Sequence, residues 1–263
     1  MGERSGGDDR HLLRGPFRAE DIKPGSHYEL SEGHPVLVMP TGGQGAVSQT
    51  NGLSVLRSDP AAAEVGVDAG YSLAPDSLRA PDIAVGNVSS KPGWITGAPP
   101  LAVEYADVGQ NEPELKLKIS EMLRAGTRFI WVVRLTGPRR VEVYERDRPV
   151  RTALPGSYLE APGILKNRVL VESLYDGAAS LEATLQNLVQ RKGFESFEKA
   201  LEVSEAKGEA KGVRDALSAL LRSRQWAPSP DEEKRLRTCE DAAVLQGWFA
   251  RALTAERIGD IWG

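Results

Sequence analysis

The sequence predicts a mixed α/β core followed by an all-helical extension. Three observations predict it. Between Tyr28 and Tyr175, short apolar or alternating runs bounded by Gly and Pro read as strands, with only one or two helical stretches among them. From about residue 178 onward, apolar residues recur at helical spacing behind repeated N-cap signals. The chain has 263 residues, with 40% hydrophobic and 27% charged, so it can bury a core and divide into more than one unit.

Residues 1–20 are expected to form a disordered tail, residues 21–177 the α/β domain, and residues 178–263 a helical C-terminal region. The segment Met1 to Arg18 is polar, carries Glu3, Asp8 and Asp9, and has no apolar run, so neither a signal peptide nor a membrane anchor is expected there. His34 to Met39 is a short apolar run closed by Pro40 and a glycine-rich loop over 41–45. Ala46 to Arg57 reads as a helix interrupted by Gly52. Glu64 to Tyr71, Asp82 to Val85 and Leu101 to Ala106 read as strands. Asn111 caps the next helix, with Glu114 as capping-box partner, and Gly126 ends it. Phe129 to Leu135 is a buried strand, and Gly137 and Pro138 turn the chain into the alternating run Val141 to Glu145. A late strand spans Arg168 to Leu174. In the tail, Leu181, Leu185 and Leu188 form one stripe. Ser229, Pro230 and Glu232 give an N-cap, an N1 proline and an N3 acid, and Thr238 and Thr254 are further cap candidates.

Charge and cysteine content exclude some chemistries. The formal net charge is -4, so no global field favours nucleic acid and any such binding needs a local basic patch. Cys239 is the one cysteine, which rules out an internal disulfide and a cysteine zinc site. Together with the polar N-terminus this points to the cytoplasm. Gly42, Gly43 and Gly45 are not followed by the Lys-Ser/Thr of a phosphate loop. The densest basic stretch, Arg134, Arg139, Arg140, Arg146, Arg148 and Arg151, offers a phosphate-backbone contact or simply a solvated strand exterior.

The residues that carry chemistry are two acids and a lysine. Alternation puts Asp82 on one face with Ala84, and Glu104 on one face with Ala102 and Ala106, while larger apolar residues take the opposite faces. On neighbouring strands the two carboxylates can converge, and their hard oxygens suit Mg²⁺ or Mn²⁺. An acid inside an apolar strand is costly unless paired or metal-bound, so Glu104 either holds an ion or pairs with a lysine. Lys116 and Lys118 are ~200° apart on the following helix. Leu115, Ile119 and Met122 mark its inward stripe; Lys118 lies ~60° from it and Lys116 ~100° away on the other side. Lys118 is therefore the lysine expected to reach the acids.

The order Pro81-Asp82, Leu101-Ala102-Val103-Glu104, Lys118, Ala125-Gly126, then Phe129-Ile130-Trp131-Val132-Val133 resembles the Uma-two family of restriction-endonuclease-like proteins. This is a branch of the PD-(D/E)XK nuclease superfamily whose lysine has moved from the strand to the following helix. Tyr28-Glu29-Leu30 resembles the place of an additional family acid, and Leu154-Pro155-Gly156 through Leu174-Tyr175 resembles the closing β-segment. The chain departs from the pattern at Asp107, where Ser is common, at Arg134, where an acid is usual, and at Gln44 and Gly45, where a His is common. The resemblance implies a restriction-endonuclease-like mixed sheet with flanking helices and a metal-dependent endonuclease acting on DNA. Asp82, Glu104 and Lys118 would be its catalytic residues, and Asp82, Glu104 and Glu29 its ligands to Mg²⁺ or Mn²⁺. The alternative is a catalytically inactive nuclease-fold module for binding or assembly. The helical tail, with Leu245, Trp248 and Phe249 in a short segment, is expected to drive homodimerisation or other self-association, and no membrane partner is expected.

Overall fold

The computed structural model describes residues 15–263. The chain divides into two compact units, Met1–Lys192 and Gly193–Gly263. Among the described residues, the first contains two larger sheets, one two-stranded sheet and three α-helices. The strands are β1 (Tyr28–Ser31), β2 (His34–Leu37), β3 (Val65–Val67), β4 (Tyr71–Ala74), β5 (Ser77–Arg79), β6 (Ile83–Val85), β7 (Ile95–Thr96), β8 (Leu101–Ala106), β9 (Phe129–Arg134), β10 (Arg140–Glu145), β11 (Arg151–Ala153), β12 (Tyr158–Leu159) and β13 (Val169–Leu170). The helices are α1 (Gly43–Ser58), α2 (Glu112–Ala125) and α3 (Gly177–Arg191).

The main sheet has the order β11-β10-β9-β8-β6-β3 and the second β2-β1-β5-β4-β7, with β12 and β13 as a separate pair. In the main sheet β8 and β9 run parallel, joined through α2, while β6 and β10 run antiparallel to their neighbours. It is the mixed sheet with flanking helices that the sequence predicts. One face buries Ile83, Leu101, Val103, Tyr105, Trp131 and Val133 with Val55 and Leu56 of α1. The other buries Ala102, Ala106, Ile130 and Val132 with Leu115, Ile119 and Met122 of α2. Gly52 weakens α1 as an isolated helix, but a Cβ there would stand 2.0 Å from the Tyr105 hydroxyl. The glycine lets α1 approach β8 closely enough for that ring.

Several boundaries differ from the sequence reading. Residues 1–14 of the expected tail lie outside the described residues. Residues 15–20 are tied to the fold: the Phe17 amide donates to Gly33 O at 2.8 Å, the Ala19 amide to Pro75 O at 2.8 Å, and Ala19 is buried. The run Glu64 to Tyr71 is not one strand. It breaks at Asp68, whose φ of 49° turns the chain out of β3, so that β3 and β4 fall in different sheets. The late strand is only Val169–Leu170, continued by a 3₁₀ turn over Val171–Leu174. α1 starts at Gly43 and takes in part of the expected loop.

The boundary between units falls after Lys192 rather than 177, because α3 docks on α1 through polar groups. Asn187 donates to Val55 O and Ser58 Oγ, both at 3.0 Å, and Ser180 to Asn51 O at 2.9 Å. The stripe Leu181, Leu185 and Leu188 is correspondingly left exposed. The second unit contains α4 (Phe197–Ser223), α5 (Pro230–Thr238) and α6 (Ala242–Thr254). Its core of Leu217, Leu221, Leu236, Leu245, Trp248, Ile261 and Trp262 closes on itself, so Leu245 and Trp248 give no motive for self-association. Ser229 and Glu232 form the expected capping box on α5. Thr238 and Thr254 cap nothing; each is the last residue of its helix, and Asp241 caps α6 by accepting from the Ala243 and Val244 amides.

Candidate functional site

The site forms where the chain leaves one sheet for the other. β5 ends at Arg79, β6 begins at Ile83, and Ala80, Pro81 and Asp82 make the passage. β6 pairs with β8 so that Ile83 faces Val103; Asp82 therefore stands beside Glu104. Asp82 Oδ2 accepts the Tyr105 amide at 2.6 Å. Glu29 comes from β1 in the second sheet, which pairs with β5 at Leu30 and Leu78, and its Oε1 accepts the Ala80 amide at 3.2 Å.

Lys118 of α2 fills the space between these groups. Its Nζ is 2.9 Å from Glu104 Oε1, 3.1 Å from Glu29 Oε1 and 2.7 Å from Ala80 O. The ammonium donates to Ala80 O at 2.7 Å and to Glu104 Oε2 at 3.2 Å, and forms an ion pair with Glu29. Asp82, Glu104, Lys118 and Glu29, the four residues singled out from sequence, are thus brought together, while Lys116 is exposed on the opposite side of α2.

The electrostatics follow from crowding acids around one cation in a dry place. Burial lifts the Asp82 carboxyl to about 6, against the pull of Lys118 and the Tyr105 amide, with Asp68 and Glu29 adding to the rise. Burial raises Glu104 further, with Lys118 opposing and Asp82 and Glu29 adding. Burial alone would lower the Lys118 ammonium, but Glu104, Glu29 and Asp82 outweigh it and hold it above the usual lysine range.

A second cation braces the cluster from behind. Arg79 is fully buried and pairs with Glu29 Oε2 at 3.0 Å, with Glu114 Oε1 at 2.7 Å and with Glu121 Oε2. Ser31 Oγ donates to Glu121 Oε1 at 2.6 Å. Glu114, Lys118 and Glu121 are spaced four and three apart, so α2 presents a charged stripe beside its apolar one. Asn111 does cap α2 through the Glu114 amide, but the Glu114 side chain goes to Arg79 rather than back to the cap. Sequence reasoning missed Arg79, Glu121 and Asp68. The spacing of the α2 charges was the one signal that could have found Glu121.

The acids suit a hard divalent cation. Among the described residues, no group of three or more His, Cys, Asp or Glu converges closely enough, as placed, to hold a metal ion. Asp82 and Glu104 still offer carboxylate oxygens from adjacent strands, and Glu104 Oε1 is buried without a hydrogen bond, although Lys118 stands near it. Mg²⁺ or Mn²⁺ needs only one or two such carboxylates when water completes the shell.

Part of the basic stretch is engaged within the fold. Arg134 pairs with Glu112 and, at 2.9 Å, with Glu142. Arg146 donates to the Leu123 and Arg124 carbonyls at the end of α2, and Arg139 lies over the Tyr175 ring. Arg148 and Arg151 remain exposed.

Comparison with known proteins places the fold and the family. The crystal structure of a putative nuclease belonging to DUF820 from Anabaena variabilis ATCC 29413 is similar in fold, with a TM-score of 0.53 and 17% identity over 63% of this chain and 99% of that one. No curated protein matches the chain. No helix among the described residues is long and apolar enough to cross a membrane. The model of the family described as "Uma2: Putative restriction endonuclease" matches residues 15–171, a span that holds Glu29, Asp82, Glu104 and Lys118, and the chain belongs to that family.

Proposed function

We propose that this protein is a metal-dependent endonuclease that hydrolyses DNA phosphodiester bonds. The observation that carries the reading is the Lys118 ammonium set among Glu104, Glu29 and the passage to Asp82. A buried cluster of this kind costs stability, and nothing in the packing of the sheet requires it. Asp82 and Glu104 would hold Mg²⁺ or Mn²⁺, with Glu29 assisting. When bound, the ion supplies a polarised phosphate and a water of lowered pKa. Lys118 orients the water or stabilises charge on the phosphorane-like transition state. To do so it must release one of its partners, Ala80 O, Glu104 or Glu29. Arg79 keeps Glu29 in place from behind. With DNA as substrate and a lone thiol in the chain, the cytoplasm is the proposed location.

The test is plasmid nicking with Mg²⁺ or Mn²⁺. Asp82→Ala, Glu104→Ala and Lys118→Ala should each abolish cleavage in folded protein, and pairs of these changes should cost no more than single ones, because the groups act as a unit. Undiminished cleavage by the Asp82→Ala protein refutes the mechanism.

The internally paired arginines favour a second reading, a catalytically inactive binding or assembly module. It predicts neither cleavage nor binding of Mn²⁺ by the parent protein.

A further inference from the structure

Among the described residues, Arg79 is the most deeply buried charged side chain, at 0% exposure. Its partners come from two elements. Nη1 donates to Glu29 Oε2 of β1 at 3.0 Å and to Glu114 Oε1 of α2 at 2.7 Å, and Nε donates to Glu121 Oε2 of α2. Ser31 Oγ of β1 donates to the other Glu121 oxygen at 2.6 Å. Two nitrogens in one rigid plane serve these acids. A lysine, with a single nitrogen, cannot take over the same geometry.

The contacts close a ring around Lys118. Glu114 lies four residues before it on α2 and Glu121 three after, so the three side chains share one side of the helix. Arg79 therefore grips α2 one turn on either side of the lysine. Glu29 is shared by both cations: Oε2 takes Arg79, and Oε1 lies 3.1 Å from Lys118 Nζ. The chain leaves Arg79 through Ala80, whose amide donates to Glu29 Oε1 at 3.2 Å and whose carbonyl accepts from Lys118 Nζ at 2.7 Å. Asp82 follows two residues later. The rotation of α2, the Glu29 carboxylate and the start of the passage to Asp82 all refer to one guanidinium.

Apolar packing already joins α2 to the sheet, through Leu115, Ile119 and Met122 against Ala102, Ala106, Ile130 and Val132. A buried ionic ring costs desolvation that apolar side chains of the same volume would avoid. Glu121 bonds only Arg79 and Ser31 among the described residues, so it serves the ring and not Lys118, Asp82 or Glu104 directly.

We infer that Arg79 is a positioning residue that fixes the Lys118 ammonium over Glu104 by clamping Glu29 and the two acids that flank Lys118 on α2. The inference deepens the nuclease reading above, which gives Lys118 its task.

The experiment is a brief pulse of acetic anhydride on the full chain, with acetylation at each lysine read by mass spectrometry. Lys116 is exposed, whereas the Lys118 side chain is 13% exposed, so the pair gives an internal ratio. In the parent, Lys118 should be protected relative to Lys116. Arg79→Lys keeps the charge and should raise Lys118 labelling severalfold. Glu121→Gln loosens the same clamp and should raise it less; this variant carries the decision if circular dichroism shows Arg79→Lys to be unfolded. Val141→Ala truncates the apolar core on β10, lowers stability without touching the clamp, and should leave the ratio at its parental value. Parental protection of Lys118 in the folded variants overturns the role of Arg79. An equal rise in Val141→Ala overturns it as a general loss of stability. In plasmid nicking with Mg²⁺, Arg79→Lys should lower kcat about 100-fold at unchanged KM, the cost of a small misplacement of a reacting group. A raised KM at parental kcat overturns the positioning role. A parent that nicks nothing overturns the nuclease reading, and the labelling then decides on Arg79 by itself.

Discussion

β8 is buried on both faces, and the two faces follow opposite rules. Toward α1 it presents Leu101, Val103 and Tyr105 to an apolar layer; toward α2 it presents Ala102, Glu104 and Ala106. Val103 is 0% exposed and Glu104 7%, so water is excluded almost equally. On the first face that exclusion stabilises, at roughly 25 cal/mol per Å² of apolar surface. On the second it strips hydration worth several kcal/mol from each charge, and only partners recover it. The helices mirror the strand: α1 reaches the sheet with Val55 and Leu56, whereas α2 adds the stripe Glu114, Lys118 and Glu121 to its apolar one. One face secures the fold, which leaves the other free to carry a reactive cluster.

The largest expected effect sharpens that contrast. Lys118→Met leaves Glu29 and Glu104 buried without their ammonium and should cost about 3–5 kcal/mol near pH 8. Val103→Ala on the apolar face removes two methyl groups and should cost about 2 kcal/mol. Urea unfolding separates the two by pH. The Lys118 loss should shrink toward pH 5, where Glu104, raised by its burial, takes up a proton, while the Val103 loss should not change. If the Lys118→Met deficit is the same at both pH values, the acids around it are not the source.

A smaller effect runs the other way. Glu104 and Asp82 have pKa values raised above those of the unfolded chain. Such groups contribute stability below the unfolded pKa, near 4, and lose it as pH rises through the folded value, which for Asp82 is about 6. Glu104→Gln and Asp82→Asn remove this penalty. Each should make the metal-free protein more stable than the parent by about 1 kcal/mol above pH 7, with no gain at pH 4. Chemical denaturation across pH without metal checks it. A variant less stable than the parent at pH 8 would mean that the carboxylates are net stabilising as charges.

The two faces were unequally legible in the sequence. Alternation fixed which side of each strand was apolar, and it isolated Glu104 because an acid among alanines stands out. The helix stripe separated Lys118 from Lys116. What sequence could not supply was pairing across distance. Arg79 ends a three-residue strand with no periodicity to mark it, and its three acids come from β1 and α2, 35 to 50 residues away. Asp68 was lost inside a run read as one strand, because a left-handed residue that sends β3 and β4 into different sheets leaves no trace in hydrophobic pattern. The edge of the helical unit slipped for a related reason: α3 docks through Ser180 and Asn187, polar residues that look solvent-facing until their partners on α1 are known.

The smallest expected effect is at Lys116, and it tests the rotation of α2 directly. Lys116 and Lys118 are ~200° apart on the helix, so a helix that sets Lys118 among the acids must turn Lys116 outward, where it is exposed. Lys116→Ala forgoes an i,i+4 attraction to Glu112 worth about 0.3–0.5 kcal/mol, and Glu112 is already engaged by Arg134. Alanine returns a few tenths of a kcal/mol through its higher helix propensity. The two terms nearly cancel, so stability should stay within about 0.5 kcal/mol of the parent and Mn²⁺ affinity should not change. A loss above about 1 kcal/mol in urea, or weakened Mn²⁺ binding, would show that α2 presents a different stripe to the sheet. That result would remove the basis for choosing Lys118 over Lys116.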